Sequence, residues 1–436
     1  CGHIRDRKTK TITEPKYPKL FDINWGAVIL DESHESLIVR KGTRTQRRRG
    51  MDMLKLRGDG IRIACSGTPF ESKPNQLWGT LNWLDRVQYS AYYRWAGLFW
   101  ELGGHGGYEI GEMRPEREPM LWDSLASIAL RRTKQEVAKD LPPKMYMGEP
   151  LDPSEKDSPV GVWLPMEGEQ ERAYVEFEER AVTELESGRL EAIYAIEELT
   201  RLKQLACAYG DIELRNVNMK CDRVPHHAEQ YPDCSGWTSH NVQKQFYTPQ
   251  SPSNKLNWIL ESLEEWGYPK NPIDKVVIVS FYSGILRQFA QGIDDHFKST
   301  KRGSANRICT GITGRTPAAK RPQIIDSFNS KDRNTPQIMM LNVKAGGTAI
   351  TIDSADRMIF VSETKVPTQQ TQAEDRIHRI SNPRNCMYYY LRSIGTIDVG
   401  TALVNQDALR QTHRLLDERR GVDYLRQVIH LGRSKH

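Results

Sequence analysis

The chain is predicted to be an α/β protein built on parallel sheets, and three observations predict it. Two short apolar runs, Trp25–Leu30 and Ile61–Cys65, each end in a polar turn. From Asn254 onward, strand-like runs alternate with helical stretches. Repeated strand–helix alternation implies parallel strands joined by crossover helices.

The elements follow in order. The first region runs to about residue 150 and holds the two apolar runs. Glu167 to Ala208 reads as helix, with few breakers and with Leu199, Leu202 and Leu205 at helical spacing. Residues 209–254 carry Pro225, Pro232, Pro252 and Gly236 among clustered polar residues and read as a loop or linker. A second α/β region follows, with strands expected at Lys275–Ser280, Gln337–Leu341 and Met358–Val361 and helices at Asn254–Trp266 and Thr368–Ile380. Thr401–His436 reads as a helical, basic tail.

Composition bounds the function. At roughly 150 residues per domain, 436 residues suggest about three domains, and 38% hydrophobic with 27% charged residues excludes collagen-like, mucin-like and wholly disordered chains. The apolar runs fall far short of the roughly 20 residues a membrane span needs, and no signal segment opens the chain, so the expected location is cytoplasmic. Seven scattered cysteines read as reduced thiols. The net charge of +6 permits a polyanionic partner.

Three segments carry chemistry. In WGAVILDESH, Trp25–His34, an apolar strand ends in Asp31 and Glu32 at the carboxyl edge of a sheet, where open α/β folds place ligands. One carboxylate would hold Mg²⁺, and the other would orient or deprotonate a water attacking a γ-phosphate. The second run ends in Ser66-Gly67-Thr68-Pro69, whose hydroxyls can bond to those carboxylates or to nucleic acid. In QAEDRIHRI, a helix over Gln372–Ile380 would align Gln372, Arg376 and Arg379 on one face suited to a triphosphate. The alternative is a solvated face on which the arginines pair with Glu374 and Asp375.

Taken in order, DESH, SGTP, LRRTKQEVAKDLPPK (Leu130–Lys144), KVVIVSFYS (Lys275–Ser283), LNVKAGGTAI (Leu341–Ile350) and QAEDRIHRI resemble successive motifs of the SWI/SNF-type ATPases of helicase superfamily 2. The resemblance runs from about Tyr17 to about Asp398. It implies two RecA-like lobes that close on ATP and move along double-stranded DNA. The expected division is 1–150 as the C-terminal part of lobe one, 151–254 as helical connector and linker, 255–400 as lobe two, and 401–436 as tail. Residue by residue, it implies that Asp31 and Glu32 are the Mg²⁺ and water-activating pair and that His34 links the ATP site to the lobe interface. Ser66 and Thr68 would couple hydrolysis to DNA. Lys344, Gly346 and Gly347 would lie at the second-lobe DNA and nucleotide edge, and Arg376 and Arg379 would reach the triphosphate. Val343 and Ser381-Asn382 depart from the family's usual residues. Ser33, where Ala is commoner, is similar to the annealing-helicase branch.

The family also requires a GxGKT-like phosphate loop before the DESH strand. The 436 residues contain no glycine-rich run followed by Lys-Ser or Lys-Thr, and GGHGGYEIG, Gly103–Gly111, lacks the lysine. The expectation is a C-terminal portion whose partner is the missing N-terminal half of lobe one, and which is inactive alone. Arg40, Lys41, Arg44, Arg47, Arg48 and Arg49 cluster after DESH. Together with the family's DNA track, they lead us to expect sequence-independent phosphate contact with double-stranded or branched DNA. Cys207, Cys221 and Cys234 with His226, His227 and His240 lack a CxxC anchor, so zinc is not expected. The rival readings are a non-catalytic DNA clamp and a superfamily 2 motor of a restriction system or acting on RNA.

Overall fold

The computed structural model describes residues 3–5 and 12–15 and most of 17–413, except 38, 41–42, 68–73, 108, 131, 133, 187–191, 221–233, 235–238, 269–274, 301–307, 333–334, 344–349 and 365. The chain divides into two compact units, Cys1–Val137 and Ala138–His436.

In the first unit, β1 (Asn24–Leu30) pairs in parallel with β2 (Lys55–Ala64), with Val28 opposite Arg62 and Leu30 opposite Ala64. β2 thus begins well before the apolar run at Ile61, because its polar start also pairs with β1, Asn24 opposite Lys55. Val28, Leu37 and Trp83 form the buried cluster beneath this ribbon. The helix Leu77–Leu84 lies so close to the end of helix Ser33–Leu37 that a Cβ on Gly79 would run into the Leu37 carbonyl.

The second unit is organised by one sheet. Its strands are β3 (Lys144–Met147), β4 (Glu149–Pro150), β5 (Val160–Leu164), β8 (Lys275–Ser280), β9 (Cys309–Ile312), β10 (Ile338–Asn342), β11 (Ala355–Phe360) and β12 (Cys386–Ser393); β6 (Gly210–Lys220) and β7 (Ser239–Pro249) form a separate pair. The sheet order is β4-β5-β12-β11-β8-β10-β9, with β3 also paired to β12. All pairs are parallel except β4–β5. Gly148, at φ 109°, makes the bend between β3 and β4, where a side chain would strike the Gly161 carbonyl.

Because side chains alternate across a strand, β8 faces two cores. Val276 and Ile278 pack with Leu256, Ile259, Ile285 and Phe289 from helices Asn254–Glu265 and Ser283–Thr300. Val277 and Val279 pack with Phe328, Met358, Phe360 and Ile377 on the other face. Burial on both faces explains the unbroken apolar run of β8 in the sequence.

Two expectations need correction. The stretch 209–254 is not a simple linker: β6 and β7 form an eleven-residue antiparallel hairpin from Gly210↔Pro249 to Lys220↔Ser239. Its pattern is a weak alternation, with Asn216 and Asn218 exposed and Val217 and Met219 half-buried, which the neighbouring prolines obscure. Tyr247 pins its base by donating to the Ala208 carbonyl at 2.5 Å. The single helix expected over Glu167–Ala208 is two helices, Gly168–Glu186 and Ala192–Leu205.

Buried polar contacts tie the last described helix to this sheet. Lys255 is fully buried and donates to Asp398 at 2.6 Å and to the Val361 carbonyl at 2.8 Å. Arg392 donates to Glu363 at 2.5 Å, and Gln370 and Asn405 add donors to the same carboxylate. Asp398 and Asn405 sit on the last described helix, Ile397–His413.

Candidate nucleotide and nucleic-acid sites

The first site grows from the ends of β1 and β2. The ladder continues past both strands: Cys65 N–H donates to the Leu30 carbonyl at 2.8 Å, and Ser33 N–H donates to the Cys65 carbonyl at 2.9 Å. This zips the DESH and SGTP turns together. The result is a hydrogen bond of 2.8 Å between His34 Nδ1 and Ser66 Oγ, with Glu32 Oε2 at 3.4 Å from the same ring nitrogen. Ser66 therefore meets the buried His34, while the two carboxylates stay exposed.

Glu32 has φ 44°, the left-handed region that a residue with a Cβ enters at a cost of about 1–3 kcal/mol. The Asp31 carboxylate accepts from Glu32 N–H at 2.9 Å and so stabilises the turn. Among the described residues no group of three His, Cys, Asp or Glu side chains could hold a metal ion. Two exposed carboxylates at a strand end instead fit a Mg²⁺ that brings its own water and phosphate ligands.

The basic run divides by burial. Arg48 faces inward, contrary to its expected place in a DNA track. It is fully buried and donates to Asp52 at 2.9 Å, to Asn82 at 2.7 Å and to the Gly79 carbonyl. Helix Gln46–Asp52 explains this, since successive residues turn by about 100° around it and Arg48 lies on its inner side with Arg47 and Arg49 outside. Burial lowers the pKa of the Arg48 guanidinium, and Asp52 offsets part of that. Arg44 is exposed and pairs with Asp52 at 3.1 Å; Arg47 is exposed and pairs with Glu35 at 2.9 Å; Arg49 is exposed. Lys41 and Thr68 lie outside the described residues, as does the side chain of Arg40.

The second unit carries the arginine segment, and here the helical expectation fails in part. The helix is Pro367–Glu374, so Gln372 lies on it while Arg376 and Arg379 follow it. Arg376 N–H donates to Ala373 and Ile377 N–H to Glu374, three residues back, as the last turn tightens. Tertiary contacts override the helical pattern: Ile377 is fully buried in the core, and Asn382 donates to its carbonyl at 3.0 Å. That gives the Asn382 departure a structural task.

Gln372, Arg376 and Arg379 are each half-buried. Arg376 donates to the Ile350 carbonyl at 3.5 Å. Arg379 Nε is buried with no hydrogen-bond partner among the described residues, which suits an anionic ligand. Lys344, Gly346 and Gly347 lie outside the described residues.

The alternative of a solvated face, with Glu374 and Asp375 pairing the arginines, does not hold for Glu374, which is buried. It accepts from Lys144 at 2.6 Å, Tyr390 at 2.5 Å and Tyr146 at 3.2 Å, and Asp375 lies 3.0 Å from Lys144. Burial lowers the Lys144 pKa, yet Glu374 and Asp375 outweigh it and the net shift is upward. The available signal was the lysine that closes LPPK.

Of the cysteine and histidine set, Cys234 Sγ lies 3.1 Å from His240 Nε2, while Cys221, His226 and His227 lie outside the described residues. Cys207 is a core thiol whose pKa burial pushes up to about 11. No helix among the described residues is long and apolar enough to cross a membrane.

Comparison with known proteins decides the family. Residues 8–209 match the SNF2-related domain, and residues 255–381 match the helicase conserved C-terminal domain. The chain belongs to the SWI/SNF-type family of helicase superfamily 2. This SWI/SNF-type chain is 23% identical over 394 residues to the CHD3-type chromatin-remodeling factor CHR7 of Arabidopsis thaliana, covering 89% of the chain and 27% of that protein. It is 23% identical to Zorya protein ZorD of Escherichia coli, covering 82% of the chain and 28% of that protein. It is 24% identical to the human SWI/SNF-related matrix-associated actin-dependent regulator of chromatin subfamily A containing DEAD/H box 1, covering 80% and 34%. The chain thus spans about a third or less of each of these relatives.

Proposed function

We propose that this chain is the motor portion of an ATP-dependent translocase that tracks double-stranded DNA without reading its sequence. Asp31 would hold Mg²⁺, Glu32 would act on the attacking water, and Arg376 and Arg379 would offset charge on the transferring phosphoryl group. The carrying observation is the His34–Ser66 hydrogen bond, which couples the turn bearing the carboxylates to a second turn whose hydroxyl can report nucleic acid. The exposed Arg47 and Arg49 supply phosphate contacts.

The 436 residues contain no lysine-bearing phosphate loop, so hydrolysis by this chain alone should be weak or absent. The test measures duplex binding across a salt series together with ATP turnover. Unrelated duplexes should bind equally, with affinity falling as salt rises, and turnover should be negligible. Failure to bind duplex at low salt would sink the translocase reading. Robust DNA-stimulated hydrolysis would overturn the phosphate-loop argument.

A further inference from the structure

Two strings that carry the family resemblance, LPPK and DRIHRI, touch each other. Lys144 and Glu374 are 230 residues apart in sequence and 2.6 Å apart in space. The contact is bracketed: on the near side of Arg376, Lys144 and Tyr146 hold Glu374, and on the far side His378 Nε2 hydrogen-bonds to the Pro142 carbonyl at 2.7 Å. A five-residue stretch, Pro142 to Tyr146, thereby fixes both ends of the turn that presents Arg376.

The charge arithmetic gives this contact a purpose. Two carboxylates, Glu374 and Asp375, directly precede Arg376 and lie within one tight turn of Arg379. Left alone, carboxylates so close to guanidinium groups would form local ion pairs with them and compete with any incoming anion. The ammonium of Lys144 lies within 3.0 Å of both carboxylates, and two tyrosine hydroxyls take further lone pairs of Glu374. Arg379 Nε is left without a partner among the described residues.

We propose that Lys144 is a positioning residue for nucleoside triphosphate: by occupying Glu374, the nearer and more buried of the two carboxylates, it keeps the guanidinium of Arg379 available to the phosphates. This rests on the reading that Arg379 meets a triphosphate. Lys144 touches no phosphate itself. Its removal should act through Glu374, so removing the Glu374 charge as well should restore affinity.

The experiment titrates the 436-residue chain with MgATP carrying a methylanthraniloyl fluorophore and follows anisotropy. Lys144→Met should weaken binding about tenfold or more, since a freed carboxylate and its neighbouring arginine form a charge-assisted pair. Lys144→Arg should stay within about threefold, because it keeps the cation. Glu374→Gln alone should bind at least as tightly as the parent, and the Lys144→Met/Glu374→Gln double variant should return to within about threefold of it. Such non-additivity is the signature of coupling through one partner. Urea titration of each variant separates the roles: a merely structural lysine, which deleting its partner's charge also rescues, would lose and regain affinity only together with stability, whereas a positioning lysine loses affinity in a variant that stays fully folded under the assay conditions.

If Lys144→Met and Arg379→Ala both leave affinity unchanged, the triphosphate reading fails. If Arg379→Ala weakens binding but Lys144→Met does not, or the double variant binds no better than Lys144→Met, the positioning role is overturned and the triphosphate reading survives. Should Lys144→Met fail to fold, Glu374→Gln decides the matter, because a tenfold loss there contradicts a role confined to masking charge.

Discussion

Replacing Arg48 with Ala should destabilise the first unit by about 3–5 kcal/mol, the range for removing one partner of a buried charge network. The guanidinium is fully buried and satisfies Asp52, Asn82, the Gly79 carbonyl and, at 3.4 Å, the Leu37 carbonyl. Asp52 retains Arg44 and Arg86 as partners at 3.1 and 2.8 Å, so its charge is not orphaned and the loss stays away from the extreme. Asn82 Oδ1 and the Gly79 carbonyl would be left without that donor inside the fold, and each such group costs about 1–3 kcal/mol. The packing of the guanidinium stem adds the remainder. Urea titration followed by tryptophan fluorescence suits the site, because Trp78 and Trp83 are buried on the helix that carries Gly79 and Asn82. Arg48→Lys should recover only part of the stability, since a point charge cannot serve four diverging acceptors. A loss below about 1 kcal/mol, or an Arg48→Lys variant that folds normally yet weakens DNA binding as much as Arg47→Ala/Arg49→Ala, would refute the assignment of Arg48 to the core.

The remaining predictions concern function and acid stability. Arg47→Ala/Arg49→Ala should lower duplex affinity equally across sequences and shallow the log K against log salt slope by about 0.9 for each phosphate no longer neutralised; an unchanged slope removes this run from the DNA track. When the chain is supplied with a phosphate loop, Glu32→Gln should retain ATP binding and abolish turnover, which single-turnover kinetics would resolve. In the same protein Arg379→Ala should cut hydrolysis roughly a thousandfold, about 4 kcal/mol of transition-state stabilisation, with Lys rescuing poorly. Burial raises the Glu363 pKa, but Arg392, Gln370 and Asn405 together hold it below its ordinary 4.5. Its stabilising contribution is therefore complete above about pH 4.5 and is lost as pH falls through the lowered folded value. Glu363→Gln should flatten that limb of an acid-denaturation curve.

Legibility in the sequence followed burial. Strand β8 was readable to the residue because both its faces are core, which leaves an unbroken apolar run. Helix Asn254–Glu265 was readable because one face packs while the other is wet. Hairpin β6–β7 was not, because its visible alternation sets exposed residues such as Asn216 only against half-buried ones such as Val217. The end of helix Pro367–Glu374 was not, because no Gly or Pro marks it; the burial of Ile377 and the Asn382 side chain end it from outside the segment. At the candidate site the residue types were legible and their partners were not. The meeting of His34 with Ser66 depends on two turns being joined by the ladder between Leu30, Ser33 and Cys65.

One physical rule separates ligand-facing from structural charge in four ion pairs of the described residues. Arg48 with Asp52, Lys144 with Glu374, Lys255 with Asp398 and Arg392 with Glu363 each place a cation and a carboxylate within 3.0 Å, and in every pair at least one partner is almost wholly buried. A charge removed from water must be neutralised where it sits, so these pairs are committed to the fold. Arg49, Asp31 and Glu32 have no such commitment: they are exposed at the ends or outer faces of short elements. A charge that keeps its hydration until a ligand arrives can exchange water for phosphate or a metal ion at little structural cost. That distinction divides a basic triplet spelled Arg47-Arg48-Arg49 into two surface residues and one core residue, and it makes Lys144, which no phosphate need touch, a determinant of what Arg379 can bind.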